Sequence, residues 1–218
     1  MQVNKLTDGI LHVKCDTQYE LTSTFLRLQE FYESPFEGIK GCYFDLEEYM
    51  DCYAADQGNF TYTTDWCGFN VPLSVIKDFK ERFEGKLLRK EKVLLDNIEL
   101  AGEGMNDYYV IGTYGDRSLK TLYHEISHGM FYLNTEYQES ATKILKKFSS
   151  EDRLSMSDYL TGRGGYCAEV IIDEAIAYLS TSSMTGIASR FGKDINWNLV
   201  LEIKKNFEDF VDELGLEL

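Results

Sequence analysis

The sequence predicts an α+β fold in a single domain over residues 1–218, with a small mixed sheet in the first half (1–116) and mostly helices in the second half (117–218). The first half contains short segments rich in β-branched and aromatic residues, and glycine, proline or aspartate bounds them, as is typical of strands. In the second half, apolar residues recur at the helical period over long stretches. Neither an internal repeat nor a long linker divides the sequence, which favours one domain.

The elements of the first half are predicted from local patterns of apolar residues. Strands are predicted over 10–15, 60–64, 93–95 and 108–112, and helices over 17–32, 45–55 and 72–83. Asp16 or Thr17 can cap the first of these helices, and Gly85 can stop the third. His12 lies in the middle of the first strand, where we expect a hydrogen-bonded histidine of the sheet rather than a metal ligand.

The second half is predicted to be helical over most of its length. Long helices are expected over 118–134, 135–148, 166–181 and 197–214, and a short one over 156–160. Ser118 can cap the first of them. The segments 149–154, 161–165 and 186–192 are polar or rich in glycine, which predicts a linker and two loops.

Charge and cysteine usage narrow the class of protein. With 37 acidic and 22 basic residues, the formal net charge is −15, so we expect neither a nucleic-acid partner nor binding to an anionic membrane surface. No apolar segment approaches the roughly 18 residues of a membrane span, and the first residues do not resemble a signal peptide. The five cysteines are widely spaced and odd in number, which favours a reducing compartment. A cytoplasmic location is therefore expected, although an uncleaved export signal would escape this test. The sequence has no signature of an oligomeric state.

The motif with the clearest chemistry is His124-Glu125-Ile-Ser-His128. Two histidines four residues apart project from the same face of a helix. Neutral imidazole nitrogens suit Zn²⁺, and a carboxylate directly after the first histidine can lie over the open position of the metal. Two of the three histidines of the chain fall in this motif, so a zinc site explains it better than a surface helix with two accidental histidines.

This motif resembles the active-site helix of the zincin superfamily of zinc metallopeptidases, and specifically that of the gluzincins. Catalytic zinc normally has three protein ligands. In metzincins the third is a histidine six residues after the second, but that position is Asn134 here, which excludes the subclass. Gluzincins take a glutamate from a later helix, and Asp173-Glu174-Ala-Ile-Ala is similar to the Asn-Glu-Gly-Phe-Ala segment of their aminopeptidase-type members. The resemblance therefore implies a zincin-like fold, in which a small mixed sheet packs on the helix that carries the motif, with Glu174 as the third ligand.

Two other acidic residues remain alternatives for the third ligand. Asp173 and Glu169 lie close to Glu174 in the same predicted helix. Asp173 has a further possible role, because a carboxylate often accepts the second ring N–H of a ligand histidine and so selects its tautomer.

The chemistry implied by the resemblance is zinc-dependent hydrolysis of peptide bonds in a peptide or protein substrate. Zinc activates a water molecule, and Glu125 acts as the general base that takes its proton. A hydroxyl or imidazole is expected to stabilise the oxyanion, and the candidate is Tyr166, which follows the glycine-rich loop and precedes Glu174. In zincins an edge strand that pairs with the substrate precedes the motif helix, so 109–113 is either such a strand or an ordinary strand of the sheet.

The alternative function is a catalytically inactive zincin-fold module that binds zinc or another protein. A fourth protein ligand, for example Cys167 or Asp173, would favour it. The presence of Glu125 argues against it, because a purely structural zinc site has no use for a base beside the metal.

Overall fold

The computed structural model describes residues 1–115, 119–162 and 170–215. The fold of these residues is mixed α and β, as predicted, with a four-stranded sheet and helices around it and after it. The residues group into two compact units, Met1–Leu122 and Tyr123–Leu218. The single domain stays a prediction of the sequence.

The strands and five of the helices belong to the first unit. The strands are β1 (Gln2–Thr7), β2 (Ile10–Cys15), β3 (Gly68–Pro72) and β4 (Tyr109–Tyr114). The helices are α1 (Gln18–Glu33), α2 (Leu46–Gln57), α3 (Tyr62–Asp65), α4 (Leu73–Arg82) and α5 (Arg89–Ala101).

The second unit is helical. It begins at Tyr123, within α6 (Leu119–Leu133). The helices that follow are α7 (Thr135–Leu145), α8 (Ser150–Gly162), α9 (Ile171–Thr181), α10 (Met184–Phe191) and α11 (Trp197–Glu213). Helix α11 packs against α7 and α9, and α8 packs against α9 and α10. The amphipathic pattern of α11 explains its packing, because its buried residues recur every three to four positions, at Val200, Ile203, Phe207 and Val211. None of the described helices combines the length and the apolar character that a bilayer crossing requires.

The sheet has the strand order β1-β2-β4-β3. Strands β1 and β2 form an antiparallel hairpin, β2 and β4 are parallel, and β4 and β3 are antiparallel. Strand β4 is therefore central, with hydrogen-bonded neighbours on both sides. Of the two alternatives for 109–113, the ordinary strand of the sheet is therefore the one observed, because β2 and β3 occupy both hydrogen-bonding edges of β4.

Helix α1 packs on the sheet at close range. The ring of Phe25 on α1 stacks on that of Phe69 on β3, with centroids 5.4 Å apart. Opposite them, a Cβ atom on Gly112 of β4 would lie 2.9 Å from side-chain atoms of both Phe25 and Leu21. A side chain at position 112 would therefore push the helix off the sheet, which gives this glycine a packing reason.

Several predictions of local secondary structure were wrong. The predicted strands at 60–64 and 93–95 are largely or wholly helical, in α3 and α5. In α5 the buried residues are Glu91, Leu94, Leu95 and Ile98, a helical spacing that the short Val-Leu-Leu run concealed. The predicted linker at 149–154 begins α8, and the predicted loop at 186–192 lies mostly within α10. Strands β1 and β3 were not predicted, since both are short and weakly alternating.

His12 is a hydrogen-bonded histidine of the sheet, as predicted. It lies on β2 with 8% of its surface exposed, and its Nε2 atom is 2.8 Å from the hydroxyl oxygen of Thr113 on β4. Burial lowers the pKa of His12 to about 4, because the charged imidazolium loses its hydration.

This shift predicts a pH dependence of stability. In the unfolded chain His12 takes up a proton near its ordinary pKa of 6.5, whereas in the folded chain it does so only near 4. The stabilisation is therefore complete above pH 6.5 and is lost as the pH falls towards 4, by roughly 2 to 3 kcal/mol at pH 4.5. Urea unfolding of the native chain and of the His12→Gln variant at pH 7.5 and 4.5 measures this difference. An equal loss in both proteins would contradict the prediction.

Candidate metal centre

Helices α6 and α9 bring the three predicted metal ligands together. His124 and His128 lie one turn apart on α6, and their Nε2 atoms are 3.3 Å apart. Glu174, in the first turn of α9, places Oε2 at 3.7 Å from Nε2 of His124 and Oε1 at 3.5 Å from Nε2 of His128. These three side chains form the group within the described residues whose donor atoms are arranged to hold a metal ion.

The donor atoms lie close enough together for one zinc ion. Zinc binds imidazole nitrogen and carboxylate oxygen at about 2.0 to 2.2 Å, so two ligand atoms at a tetrahedral angle lie about 3.3 to 3.5 Å apart. The two Nε2 atoms have this separation, 3.3 Å. The contacts of Glu174, at 3.7 and 3.5 Å, come from a different carboxylate oxygen for each histidine, and one donor atom from each of the three residues lies within 4.8 Å of the other two. Two imidazoles and one carboxylate are also the donor set of a catalytic zinc site with one further coordination position.

Asp173 contacts the far edge of the second histidine. Its Oδ2 atom is 2.9 Å from Nδ1 of His128. An ionised carboxylate accepts hydrogen bonds only, so this contact favours a proton on Nδ1, which leaves the lone pair of Nε2 for the side of Glu174 and His124. The geometry therefore gives Asp173 the position of a group that orients a ligand, while Glu174 has the position of the ligand itself.

The carboxylates around His128 favour a positive charge at this position. The imidazole is 3% exposed, and this burial, the largest single effect, lowers the pKa of His128. The carboxylates of Asp173, Glu174 and Glu125 together outweigh burial and raise this pKa well above 6.5. A proton can supply the missing positive charge, and a divalent metal ion would supply it more completely.

Glu125 lies between the two histidines in sequence and is 5% exposed. Its carboxylate is near enough to His128 for its charge to raise the pKa of that residue. A buried carboxylate directly beside two metal-type histidines is unusual, because an ionised group loses its hydration there unless a cation or hydrogen bonds compensate. Its role as a general base stays a prediction of the sequence.

The helices that carry the site are held by contacts within the second unit. The Ser127 hydroxyl on α6 lies 3.1 Å from the Tyr137 hydroxyl on α7, and Asn134 caps α7 by accepting from the Tyr137 backbone N–H. At the C-terminal end of α9, the Lys204 ammonium on α11 donates to the carbonyls of Ser180 (2.9 Å) and of Ser182 (2.7 Å). These anchors hold α6 and α9 in the register that the site requires.

Three residues named in the sequence analysis, Tyr166, Cys167 and Glu169, lie outside the described residues. The oxyanion role of Tyr166 thus stays a prediction. The structure also shows one neighbour of the site that was not predicted, Tyr178 on α9, whose ring centroid is 4.7 Å from that of His124. Its position four residues after Glu174 was the available signal, because residues at that spacing share a helix face.

Comparisons of the chain with models of protein families, with curated proteins and with solved structures found no match.

Proposed function

We propose that this chain is a zinc-dependent metallopeptidase with a zincin-like fold and a gluzincin-type site. The observation that carries the proposal is the convergence of His124, His128 and Glu174 from two helices, with one donor atom of each within 4.8 Å of the others and the two Nε2 atoms 3.3 Å apart. The placement of Glu125 beside these ligands favours catalysis over a purely structural site.

In this proposal His124, His128 and Glu174 would hold a zinc ion, which would polarise the scissile carbonyl and lower the pKa of water. Glu125 would accept the proton of the attacking water and then deliver it to the leaving amine. Asp173 holds the His128 ring with Nε2 facing the ligand cluster. Tyr166 remains the proposed donor to the developing oxyanion.

The net charge of the chain favours a peptide or protein substrate over a nucleic acid. The net charge of −15 would repel a phosphate backbone, whereas it imposes no comparable penalty on a neutral or basic peptide. The described cysteines, Cys15, Cys42, Cys52 and Cys67, are free thiols, which supports a reducing and thus cytoplasmic setting.

Metal removal tests the proposal directly. The purified chain should contain about one zinc ion per molecule and should cleave members of a peptide library. Dialysis against a zinc chelator should abolish cleavage, because the three donors alone cannot activate water, and added Zn²⁺ should restore it. A protein that holds no zinc, or whose cleavage withstands the chelator after its zinc has been removed, would overturn the proposal. Zinc retention without cleavage of any peptide would favour the binding module instead.

A further inference from the structure

The two histidines of the cluster are held in different ways. The second, His128, is 3% exposed and has the Asp173 carboxylate at its Nδ1 atom. The first, His124, is 17% exposed, and within residues 1–115, 119–162 and 170–215 no carboxylate takes the corresponding position. Besides His128 and Glu174, His124 contacts the aromatic ring of Tyr178.

This ring contact is close and is supported from a neighbouring helix. The imidazole of His124 and the ring of Tyr178 have centroids 4.7 Å apart and planes inclined by 56°. The guanidinium carbon of Arg190, on α10, lies 4.9 Å from the centroid of Tyr178, a cation–π distance. An Arg190 Nη1 group also donates to the Gly186 carbonyl at 3.2 Å, which restrains the guanidinium on its own helix.

The connectivity of these residues makes the contact more than general packing. Glu174 and Tyr178 are one turn apart on α9, so the same helix face presents the carboxylate and the ring to His124. A ring of this size beside the imidazole limits its rotation about the Cβ–Cγ bond, and this rotation determines where Nε2 points. Restricting a ligand in this way preorganises a metal site, just as a hydrogen bond to the other ring nitrogen does.

We infer that Tyr178, supported by Arg190, is the positioning residue of His124 and does for this ligand what Asp173 does for His128. This inference rests on the proposed zinc site. It assigns Tyr178 no contact with substrate and no proton transfer. The aromatic ring carries the effect, so the hydroxyl of Tyr178 is not needed for it.

Zinc affinity, measured by competition with a chromophoric chelator, tests this inference without any activity assay. The Tyr178→Leu variant should bind zinc about tenfold to a hundredfold more weakly, the range seen when a group that orients a ligand is lost. The Tyr178→Phe variant keeps the ring and should stay within about threefold of the native chain. Arg190→Gln removes the cation over the ring and should weaken binding about twofold to fivefold.

The absorption spectrum of the Co²⁺-substituted chain supplies a second measurement, because it reports on ligand geometry. It should change in Tyr178→Leu and be unchanged in Tyr178→Phe. A matched control is Tyr159→Leu: Tyr159 packs against Phe191, two rings away from His124, and its loss should leave both zinc affinity and spectrum unchanged.

Native zinc affinity in Tyr178→Leu would overturn the inference, as would an equal loss in Tyr159→Leu. If Tyr178→Leu does not fold, as judged by circular dichroism, native affinity in Arg190→Gln would overturn it. Failure of the peptidase proposal is distinguishable, since a chain that binds zinc but cleaves no peptide contradicts that proposal alone. A native chain that binds no zinc would overturn both.

Discussion

Replacing Glu125 by Gln should lower kcat about a hundredfold to ten-thousandfold while leaving about one zinc ion on each chain. Glutamine has nearly the same size and can fill the same buried space, so the helix and its two histidines should keep their positions. Its amide cannot accept the proton of the attacking water, and general-base catalysis is therefore lost. Initial rates on a cleaved peptide, with metal content measured on the same samples, check both parts of the expectation.

The matched control for this experiment is Glu139→Gln. Glu139 lies on α7, the next helix along the chain, and its side chain is exposed. The same chemical change there should leave both rate and zinc content at native values. Native kcat in Glu125→Gln would remove Glu125 from the mechanism, and loss of zinc in that variant would indicate that Glu125 is a ligand rather than a base.

Truncating Glu174 to Ala should weaken zinc binding at least about a hundredfold. Structural zinc sites in small peptides bind with roughly 10 to 16 kcal/mol, so on this scale each of three or four ligands contributes about 2.5 to 5 kcal/mol, and 1.4 kcal/mol corresponds to a factor of ten. The adjacent change Asp173→Ala should weaken binding only about tenfold to a hundredfold, because it removes a group that orients His128. Chelator competition on the two variants gives the ratio.

The order of these two effects decides between the neighbouring acids. A larger loss in Asp173→Ala than in Glu174→Ala would make Asp173 the ligand and contradict the assignment. Glu169→Ala serves as the third arm, since Glu169 was an alternative in the sequence, and it should retain zinc. Loss of zinc in that variant alone would move the third ligand to Glu169.

The two histidines were predictable because their spacing is local. A separation of four residues on a helix determines that both imidazoles share a face, whatever the rest of the chain does. The distance between Glu174 and this pair depends instead on how α6 and α9 pack, across α7 and α8. Sequence alone suggested Glu174 only through its resemblance to a known segment, and it left Asp173 as an alternative. The separate contacts of the two carboxylates with opposite nitrogens of His128 distinguish their positions.

Other parts of the fold escaped prediction because they depend on contacts distant in sequence. The strand predicted over 108–112 is present as β4, Tyr109–Tyr114, but its central place in the sheet depends on β2 and β3, which pair with it from other parts of the chain. The role proposed for Tyr178 depends on α10, which was predicted as a loop. Ser183 starts that helix by accepting from the Gly186 backbone N–H, a capping signal that polar composition concealed.

The adjacency of Asp173 and Glu174 on α9 has a consequence for how the length of this chain can vary. Consecutive residues on a helix point about 100° apart, which is why neighbouring carboxylates can reach opposite edges of one imidazole. Inserting a single residue directly after Glu174, with the rest of α9 kept in place, would rotate both carboxylates by about 100° and turn them away from His128 together. A change in chain length is therefore not expected within the first turn of α9, where it would separate both carboxylates from His128.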